Sequence, residues 1–141
     1  MLFRSVDASV ALAWGFPDEN SDYADIVLEK LEGKILIVPV HWAIEIGNAL
    51  IVGERRKRLL QTQTQRFLTL LNGLTIVQDI QIPMSMLNQL LPLTRQYNLS
   101  AYDTAYLELA IRENAPFTTL DEKLKQAAKK AGLTIFEEIK R

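Results

Sequence analysis

Short runs of β-branched and aliphatic residues alternate along the chain with longer segments of helical periodicity, a pattern typical of an α/β fold. The apolar runs predict strands at residues 2–6, 35–38, 74–77, 116–119 and 133–136. The periodic segments predict helices at residues 7–14, 20–31, 41–58, 61–71, 84–97, 100–113 and 120–131. Pro92 lies inside the fifth of these helices, so we expect a kink or a break near Leu91. The alternation predicts a mostly parallel sheet covered by helices on both faces, in a single domain over residues 1–141.

The composition argues against several classes of function. The 141 residues include 16 Lys and Arg and 17 Asp and Glu, and a formal net charge of −1 disfavours binding of nucleic acid by bulk positive charge. The absence of cysteine excludes disulfides, thiolate catalysis and iron–sulfur clusters, and the single histidine, His41, disfavours a His-rich metal site. Chemistry is therefore expected to come mostly from carboxylates. No apolar run has the length of a signal peptide or a membrane span, so we expect a cytoplasmic protein without a membrane segment.

Four acidic residues occupy positions that single them out from ordinary surface charge: Asp7, Glu45, Asp103 and Asp121. Asp7 and Asp121 follow predicted strands, where α/β sheets bind ligands, although each could instead only cap a helix. Glu45 and Asn48 are the only polar side chains of residues 42–52, and so apolar a helix is predicted to be buried. A buried carboxylate costs several kcal/mol unless it is paired or binds a metal, and the alternative here is a structural hydrogen bond. Asp103 lies in a predicted first helical turn, so its role could instead be purely structural, as part of a capping box.

Taken together, these four carboxylates indicate a site for a divalent cation. Clustered carboxylates repel one another, and a cation between them relieves the repulsion. Oxygen ligands without cysteine favour Mg²⁺ or Mn²⁺ over Zn²⁺, and such ions usually serve phosphoryl chemistry. The other acidic residues, among them Glu108, are interpreted as solvated surface.

The sequence around the four acids resembles the PIN domain family. Residues 6–10, Val-Asp-Ala-Ser-Val, look like the family's opening motif, and residues 45–50, Glu-Ile-Gly-Asn-Ala-Leu, look like its second acidic motif. Residues 99–106, Leu-Ser-Ala-Tyr-Asp-Thr-Ala-Tyr, resemble the third motif, and residues 117–124, Phe-Thr-Thr-Leu-Asp-Glu-Lys-Leu, resemble the fourth. The motifs follow in family order over nearly the whole chain. The length and the opening Asp-Ala-Ser-Val-Ala-Leu look most like the VapC-type toxins of toxin–antitoxin pairs.

The resemblance implies a three-layer α/β/α sandwich and a Mg²⁺- or Mn²⁺-dependent endoribonuclease that hydrolyses RNA phosphodiesters at the four carboxylates. It implies that the three aspartates bind the metal and that the glutamate binds it directly or through water. The side chains that would orient these acids are Ser9, Asn48 and Thr119. A homodimer is also implied, as is neutralisation by a small antitoxin that places an Arg or Lys among the carboxylates. Apolar residues around Trp14, Ile26 and Leu59-Leu60 would form its docking surface.

Positive charge near an acidic site would favour RNA. The densest basic cluster ends the helix that carries the glutamate and contains Arg55, Arg56 and Arg58, although a cationic helix C-terminus is favourable in itself. Lys123 follows Asp121 and could line the same groove or belong to a solvated face. Four aromatic residues could stack on bases, although their helical spacing is more typical of a core: Trp14, Trp42, Tyr102 and Tyr106.

Three other interpretations remain open. The chain could be a catalytically silent PIN-fold module that binds RNA or acts as a scaffold. It could be another α/β fold of phosphoryl transfer, such as a receiver domain. Against that, Asp7 stands between Val6 and Ala8 rather than beside a second acid, and no P-loop sequence occurs. A purely structural protein is disfavoured by Glu45 and Asn48 on one apolar helix.

Overall fold

The computed structural model describes residues 2–79 and 83–136, and the strands in this part of the chain form one sheet in which all neighbours are parallel. The strands are β1 (Phe3–Val6), β2 (Ile35–Val38), β3 (Ile76–Gln78) and β4 (Phe117–Thr118), in the order β3-β2-β1-β4. The helices are α1 (Ala8–Ala13), α2 (Asp22–Lys30), α3 (Trp42–Arg55), α4 (Gln61–Asn72), α5 (Pro83–Tyr97), α6 (Ala101–Glu113) and α7 (Glu122–Lys130). The prediction of an α/β fold around a mostly parallel sheet is confirmed.

The sheet is buried on both faces at β2, whereas the edge strand β3 is largely exposed. In β2, Leu36 and Val38 point into the main core and Ile37, on the opposite face, packs with Leu109 of α6. Successive side chains of a strand point to opposite faces of the sheet. A strand whose consecutive side chains are buried is therefore covered on both faces, as in a three-layer α/β/α sandwich.

Side-chain caps fix the beginnings of four helices. In α1, α2, α6 and α7 the residue before the helix accepts a hydrogen bond from the backbone N–H three positions on; these residues are Asp7, Ser21, Ser100 and Asp121. Each cap satisfies a backbone donor that would otherwise lack a helical partner, and contributes roughly 1 kcal/mol. The helix starts predicted from the sequence agree with these caps.

Three predicted elements differ from the structure. Helix α3 ends at Arg55 rather than at residue 58, because Lys57 adopts a left-handed conformation with φ of 59° and the Arg58 N–H turns back to the Gly53 carbonyl. Helix α5 continues through Pro92, so of the kink or break expected near Leu91 the break is wrong. Pro92 is exposed, and water can therefore reach the carbonyl that it leaves without a partner. Residues 133–136 form a single parallel bridge, Phe117 with Ile135, rather than a strand.

Two burial predictions are also wrong. Helix α3 is buried along one side only: Trp42, Ile46 and Leu50 face the core, whereas Ile44 is 75% exposed. Glu108, interpreted as solvated surface, is buried on α6 and pairs with Arg112 at 2.9 Å. Helix α6 is buried continuously over residues 104–110, so its charged residue needed an internal partner. None of the helices in the two described ranges is long and apolar enough to cross a membrane.

Candidate active site

The carboxyl edge of the sheet brings together residues that are 112 positions apart in sequence. Val6 of β1 pairs with Thr118 of β4, so Asp7 and Thr119 emerge side by side. The Thr119 hydroxyl donates to Asp7 Oδ2 at 2.7 Å, and the Ser9 hydroxyl donates to Asp7 Oδ1 at 2.6 Å. Both hydroxyl residues expected to orient an acid therefore contact the same carboxylate.

Asp7 is both a helix cap and a buried acid. Its Oδ1 accepts from the Val10 N–H at 3.3 Å, which makes it the N-cap of α1, and the residue is 5% exposed. Burial raises the pKa of Asp7 from 3.8 to about 6; hydrogen bonds from Ser9, Thr119 and Val10 oppose the rise, and the charge of Asp103 adds to it. A nearby cation would therefore stabilise the ionised form of Asp7, which burial disfavours.

Asp121 is joined to Asp7 through Thr119. The Asp121 N–H donates to the Thr119 hydroxyl oxygen at 2.9 Å, and Asp121 Oδ1 accepts from the Leu124 N–H at 2.9 Å as the N-cap of α7. The neighbouring Leu120 N–H donates to the Ser9 hydroxyl at 3.1 Å. Two hydroxyl groups thus connect the loop after β4 to Asp7 and to the first turn of α1.

The charges of the other acids affect the pKa of Asp103. It lies in the first turn of α6, where its N–H donates to the Ser100 hydroxyl at 3.1 Å. Burial raises the pKa of Asp103, and the charges of Asp121 and Glu45 raise it further, while the hydroxyl of Ser100 and the charge of His41 oppose them. Asp103 is therefore close enough to the other carboxylates to share their electrostatic field.

Glu45 reaches the site from α3 and is held by two aromatic side chains. The Tyr106 hydroxyl donates to Glu45 Oε1 at 3.2 Å. His41 Nε2 lies 2.8 Å from the same oxygen, an ion-pair distance without hydrogen-bond alignment. The Glu45 side chain is 35% exposed, so the expectation of a buried carboxylate is wrong. Asn48, one turn further along α3, is exposed.

His41 had no role in the sequence analysis, and the structure places it against Tyr102 and Tyr106, which the sequence analysis considered as base-stacking or core residues. The His41 ring meets the rings of Tyr102 and Tyr106 edge to face, with centroids 5.4 and 5.3 Å apart. Burial and the charges of Glu45 and Asp7 raise the pKa of Tyr106, which keeps its hydroxyl protonated as a donor. The spacing places His41 one helical turn before Glu45, and Tyr102 one turn before Tyr106, but the contact between α3 and α6 has no local signal in the sequence.

The donor set fits a hard divalent cation by its chemistry. The groups around the acids are carboxylate and hydroxyl oxygens, which suit Mg²⁺ or Mn²⁺. Within the described ranges, however, no three Asp, Glu or His side chains are close enough together to form a metal-binding group as they stand. Ser9 and Thr119 occupy both Asp7 oxygens, so a cation would share these oxygens with the hydroxyls.

The candidate RNA contacts lie in different surroundings. Arg58 pairs with Asp18 and Glu19, both at 2.9 Å, and its guanidinium lies over the Phe16 ring. Arg55 and Arg56 are exposed at the end of α3, about 15 Å along the helix from Glu45 at 1.5 Å per residue. Lys123 is exposed on α7, two positions after Asp121.

The aromatic and apolar candidates separate by burial. Trp42 and Tyr106 belong to the core, Trp14 is half-buried with its indole N–H bonded to the Ala24 carbonyl, and Tyr102 is 66% exposed. Of the apolar residues considered for an antitoxin dock, Ile26 and Leu59 are buried, so they cannot line one.

The chain is similar to known proteins over most of its length. The family model described as PIN domain matches residues 5–130. The crystal structure of PAE2754 from Pyrobaculum aerophilum superposes with a TM-score of 0.68 and 22% sequence identity, covering 95% of this chain and 83% of that chain. At this identity the likeness shows the fold alone. No match is found among curated proteins.

Proposed function

Because the chain belongs to the PIN domain family, whose members are generally divalent-metal-dependent nucleases, we propose that it is an endoribonuclease. We propose further that it is the toxin of a VapC-type toxin–antitoxin pair. The support for this finer assignment is the sequence resemblance of its opening segment and of its four acidic motifs.

One observation carries the proposal: the four acids share one electrostatic neighbourhood at the carboxyl edge of the sheet. The pKa of Asp103 is raised by the charges of Asp121 and Glu45, and the pKa of Asp7 by the charge of Asp103. Ligands bind at this edge in open parallel sheets. The protein as a whole has a net charge of only −1, so this cluster is a local concentration of negative charge. Such a cluster favours binding of a cation, and the cation can in turn bind a phosphate.

The side chains of such a site would have two roles, binding the cation and orienting the acids that bind it. Asp7, Asp103, Asp121 and Glu45 would hold the cation, which when bound activates water and stabilises the leaving oxygen of a phosphodiester. Ser9 and Thr119 hold the Asp7 carboxylate in place from both sides. Tyr106 and His41 hold Glu45. This orientation reduces the freedom that the acids would otherwise lose when RNA binds.

RNA is the proposed substrate, with Arg55, Arg56 and Lys123 as its outer contacts. Arg58 is a weaker candidate, because Asp18 and Glu19 already neutralise it. The proposed partners are a second copy of the chain and a small antitoxin. A basic side chain of the antitoxin among the four acids would replace the charge of the cation.

A metal titration tests the nuclease. RNA cleavage and thermal unfolding are measured together while Mg²⁺ or Mn²⁺ is added, for the wild type and for Asp103→Asn. We expect cleavage and metal-dependent stabilisation in the wild type, and loss of both in the variant. Asp25→Asn is the matched control, because it makes the same chemical change at an exposed position of α2.

Two results would contradict the proposal. Cleavage that persists in EDTA, or that is unchanged in Asp103→Asn, would show that the carboxylates are not the catalytic centre. Metal-dependent stabilisation and RNA binding without cleavage would favour the alternative, a catalytically silent RNA-binding module.

The toxin assignment needs a test in cells. We expect induced expression of the wild type and of Asp25→Asn to arrest bacterial growth, and expression of Asp103→Asn to leave growth normal. Equal growth of all three strains, at equal protein levels, would refute the toxin assignment and leave the nuclease proposal to stand on its own assay.

A further inference from the structure

A groove opens beside the acidic site, on the side of α1. Its volume is about 590 Å³, and it is lined by residues of α1, of the loop between α1 and α2, and of the loop after β4: Ser9, Leu12, Glu19, Asn20, Ser21 and Leu120. The Ser9 hydroxyl joins the groove to the site, because it donates to Asp7 Oδ1 at 2.6 Å and accepts from the Leu120 N–H at 3.1 Å. A group that lies in the groove is therefore a neighbour of a group bound at Asp7.

The groove is partly apolar and carries little net charge. Leu12 lies three residues after Ser9 on the same face of α1, and Leu120, which is 44% exposed, adds a second apolar side chain. Glu19 is the one ionisable side chain among the lining residues, and Arg58 pairs with it at 2.9 Å. A flat, neutral group with polar edges, such as a nucleobase, suits these surroundings better than a phosphate does.

Asn20 brings free hydrogen-bonding capacity to the groove. Its side chain is exposed, and its amide has no hydrogen-bond partner within residues 2–79 and 83–136. On one side of it Glu19 pairs with Arg58, and the Glu19 N–H donates to the Phe16 carbonyl at 3.1 Å. On the other side Ser21 is the N-cap of α2. The amide is thus carried by a restrained backbone, so little conformational freedom is lost when a ligand pairs with it.

We propose that Asn20 determines the specificity of cleavage by reading a nucleobase that lies in this groove, next to the scissile phosphate, and that the base is adenine. This inference rests on the proposed nuclease function. A carboxamide offers an N–H donor beside an oxygen acceptor. On the N7 edge only adenine presents the complementary pair, the N7 acceptor beside the N6 amino donor. Guanine presents two acceptors at this edge, and the pyrimidines have no N7.

The test compares four RNAs that differ in one base. Each is a short strand of uridines whose central nucleotide is A, G, C or U, and cleavage beside that nucleotide is measured as kcat/KM with Mg²⁺ or Mn²⁺. Asn20→Ala removes the amide, and Asn20→Asp keeps its size but replaces the donor by a second acceptor. Asn72→Ala is the matched control, because it removes the same amide from an exposed position at the end of α4.

We expect the wild type to cleave beside adenine about tenfold more efficiently than beside the other bases, equivalent to about 1.4 kcal/mol from one bidentate contact. In both Asn20 variants, cleavage beside adenine should fall to the level of the other three RNAs. Asn20→Ala should leave cleavage of those three unchanged, because the amide touches neither the acids nor the phosphate. Asn72→Ala should keep the preference. Unfolding temperatures should be unchanged, since the Asn20 amide is exposed and unpaired.

Several outcomes would overturn the inference. These are a wild type without preference for adenine, a preference that persists in Asn20→Ala or is lost in Asn72→Ala, or an equal loss of cleavage for all four RNAs in Asn20→Ala. In each of them the wild type still cleaves RNA, so the proposed nuclease survives. A wild type that cleaves none of the four RNAs with either metal would instead refute the nuclease and the inference together.

Discussion

Asp7 is held by more contacts than a helix cap needs. Its two carboxylate oxygens accept from the hydroxyls of Ser9 and Thr119 as well as from the Val10 N–H, yet burial still raises its pKa to about 6. The hydrogen bonds hold the carboxylate in position without making its charge favourable. Without a cation, the ionised side chain therefore destabilises the fold.

This balance predicts the effect of Asp7→Asn on metal-free protein. The pKa of Asp7 is higher in the folded state than its unfolded value of 3.8, so the folded state binds the proton more tightly. Its contribution to the free energy of unfolding is fully present below about pH 4 and is lost as the pH rises towards 6. We expect Asp7→Asn to be more stable than the wild type at pH 7 in EDTA, by up to about 3 kcal/mol for a shift of about two units.

Urea unfolding from pH 4 to pH 8 measures this difference. The gap between variant and wild type should open across the interval between the two pKa values and then stay constant, while Asp25→Asn follows the wild type. A gap that is independent of pH, or a variant that is less stable at pH 7, would refute the assignment of a buried, raised pKa to Asp7.

Tyr106→Phe isolates the orientation of Glu45. The change removes the hydroxyl that donates to Glu45 at 3.2 Å and leaves the buried ring in place. Loss of a partner that orients a metal-binding acid typically costs 10–100-fold in metal affinity or activity, so we expect the Mg²⁺ or Mn²⁺ concentration for half-maximal stabilisation to rise about tenfold.

Tyr23→Phe is the matched control for this prediction, because its hydroxyl also donates a hydrogen bond, to the Phe136 carbonyl at 2.6 Å. We expect it to lower the free energy of unfolding by about 1 kcal/mol, with unchanged metal dependence. An equal effect of the two variants on metal dependence would mean that Tyr106 acts only through stability.

At the scale of elements, α3 joins the site to the core, and its two glycines have different surroundings. A Cβ built on Gly53 would lie 2.5 Å from the Phe16 ring, which is covered on another side by the Arg58 guanidinium. A Cβ built on Gly47 meets no heavy atom within 4 Å. The same substitution at these positions therefore separates packing from helix propensity.

We expect Gly53→Ala to lower the free energy of unfolding by about 1–3 kcal/mol, because the ring has little space to move. Gly47→Ala should raise it by up to about 1 kcal/mol, because alanine is the better helix former. Chemical denaturation of both variants measures the two effects. Equal changes at the two positions would show that Phe16 moves aside.

The secondary structure was predictable where a local signal marks each boundary. Ser21 and Ser100 begin helices by hydrogen bonds to backbone groups three residues on, and such caps are visible in sequence. The end of α3 was missed because Lys57, not glycine, takes the left-handed position. A helix over residues 84–97 was predicted, but its continuity at Pro92 was not, because exposure of that turn depends on tertiary structure.

The same limit applies to the site. Asp7 and Asp121 were singled out because they follow predicted strands, where parallel sheets bind ligands, whereas Ser9 and Thr119 were named from the resemblance to the PIN family. The role of His41 was missed, since its contact with the tyrosines of α6 joins helices about 60 residues apart. Glu108 was misassigned because its partner Arg112 is itself fixed by Asp79, a residue after β3. Contacts across elements decide such residues, and local pattern does not show them.

At the scale of the whole molecule, a net charge of −1 hides an uneven distribution that should govern RNA binding. The acids gather at the carboxyl edge of the sheet, while Arg55 and Arg56 stand exposed at the end of α3, beyond Glu45. Lys34 precedes β2 and Lys30 ends α2, which places both towards the amino edge. Removing either pair changes the net charge from −1 to −3, since each residue contributes +1.

We expect the double variant Arg55→Ala, Arg56→Ala to weaken RNA binding and to reduce its dependence on salt. Each phosphate contact contributes about 0.7 to the slope of log affinity against log salt concentration for a single strand, so two lost contacts reduce the slope by about 1.4. Lys30→Ala, Lys34→Ala should leave the slope unchanged, and KM measured over a range of salt concentrations gives both values. If the two double variants lose affinity equally, net charge rather than the α3 terminus governs the encounter. If neither loses affinity, the RNA reaches the acids along another face, and Lys123 on α7 becomes the side chain to replace next.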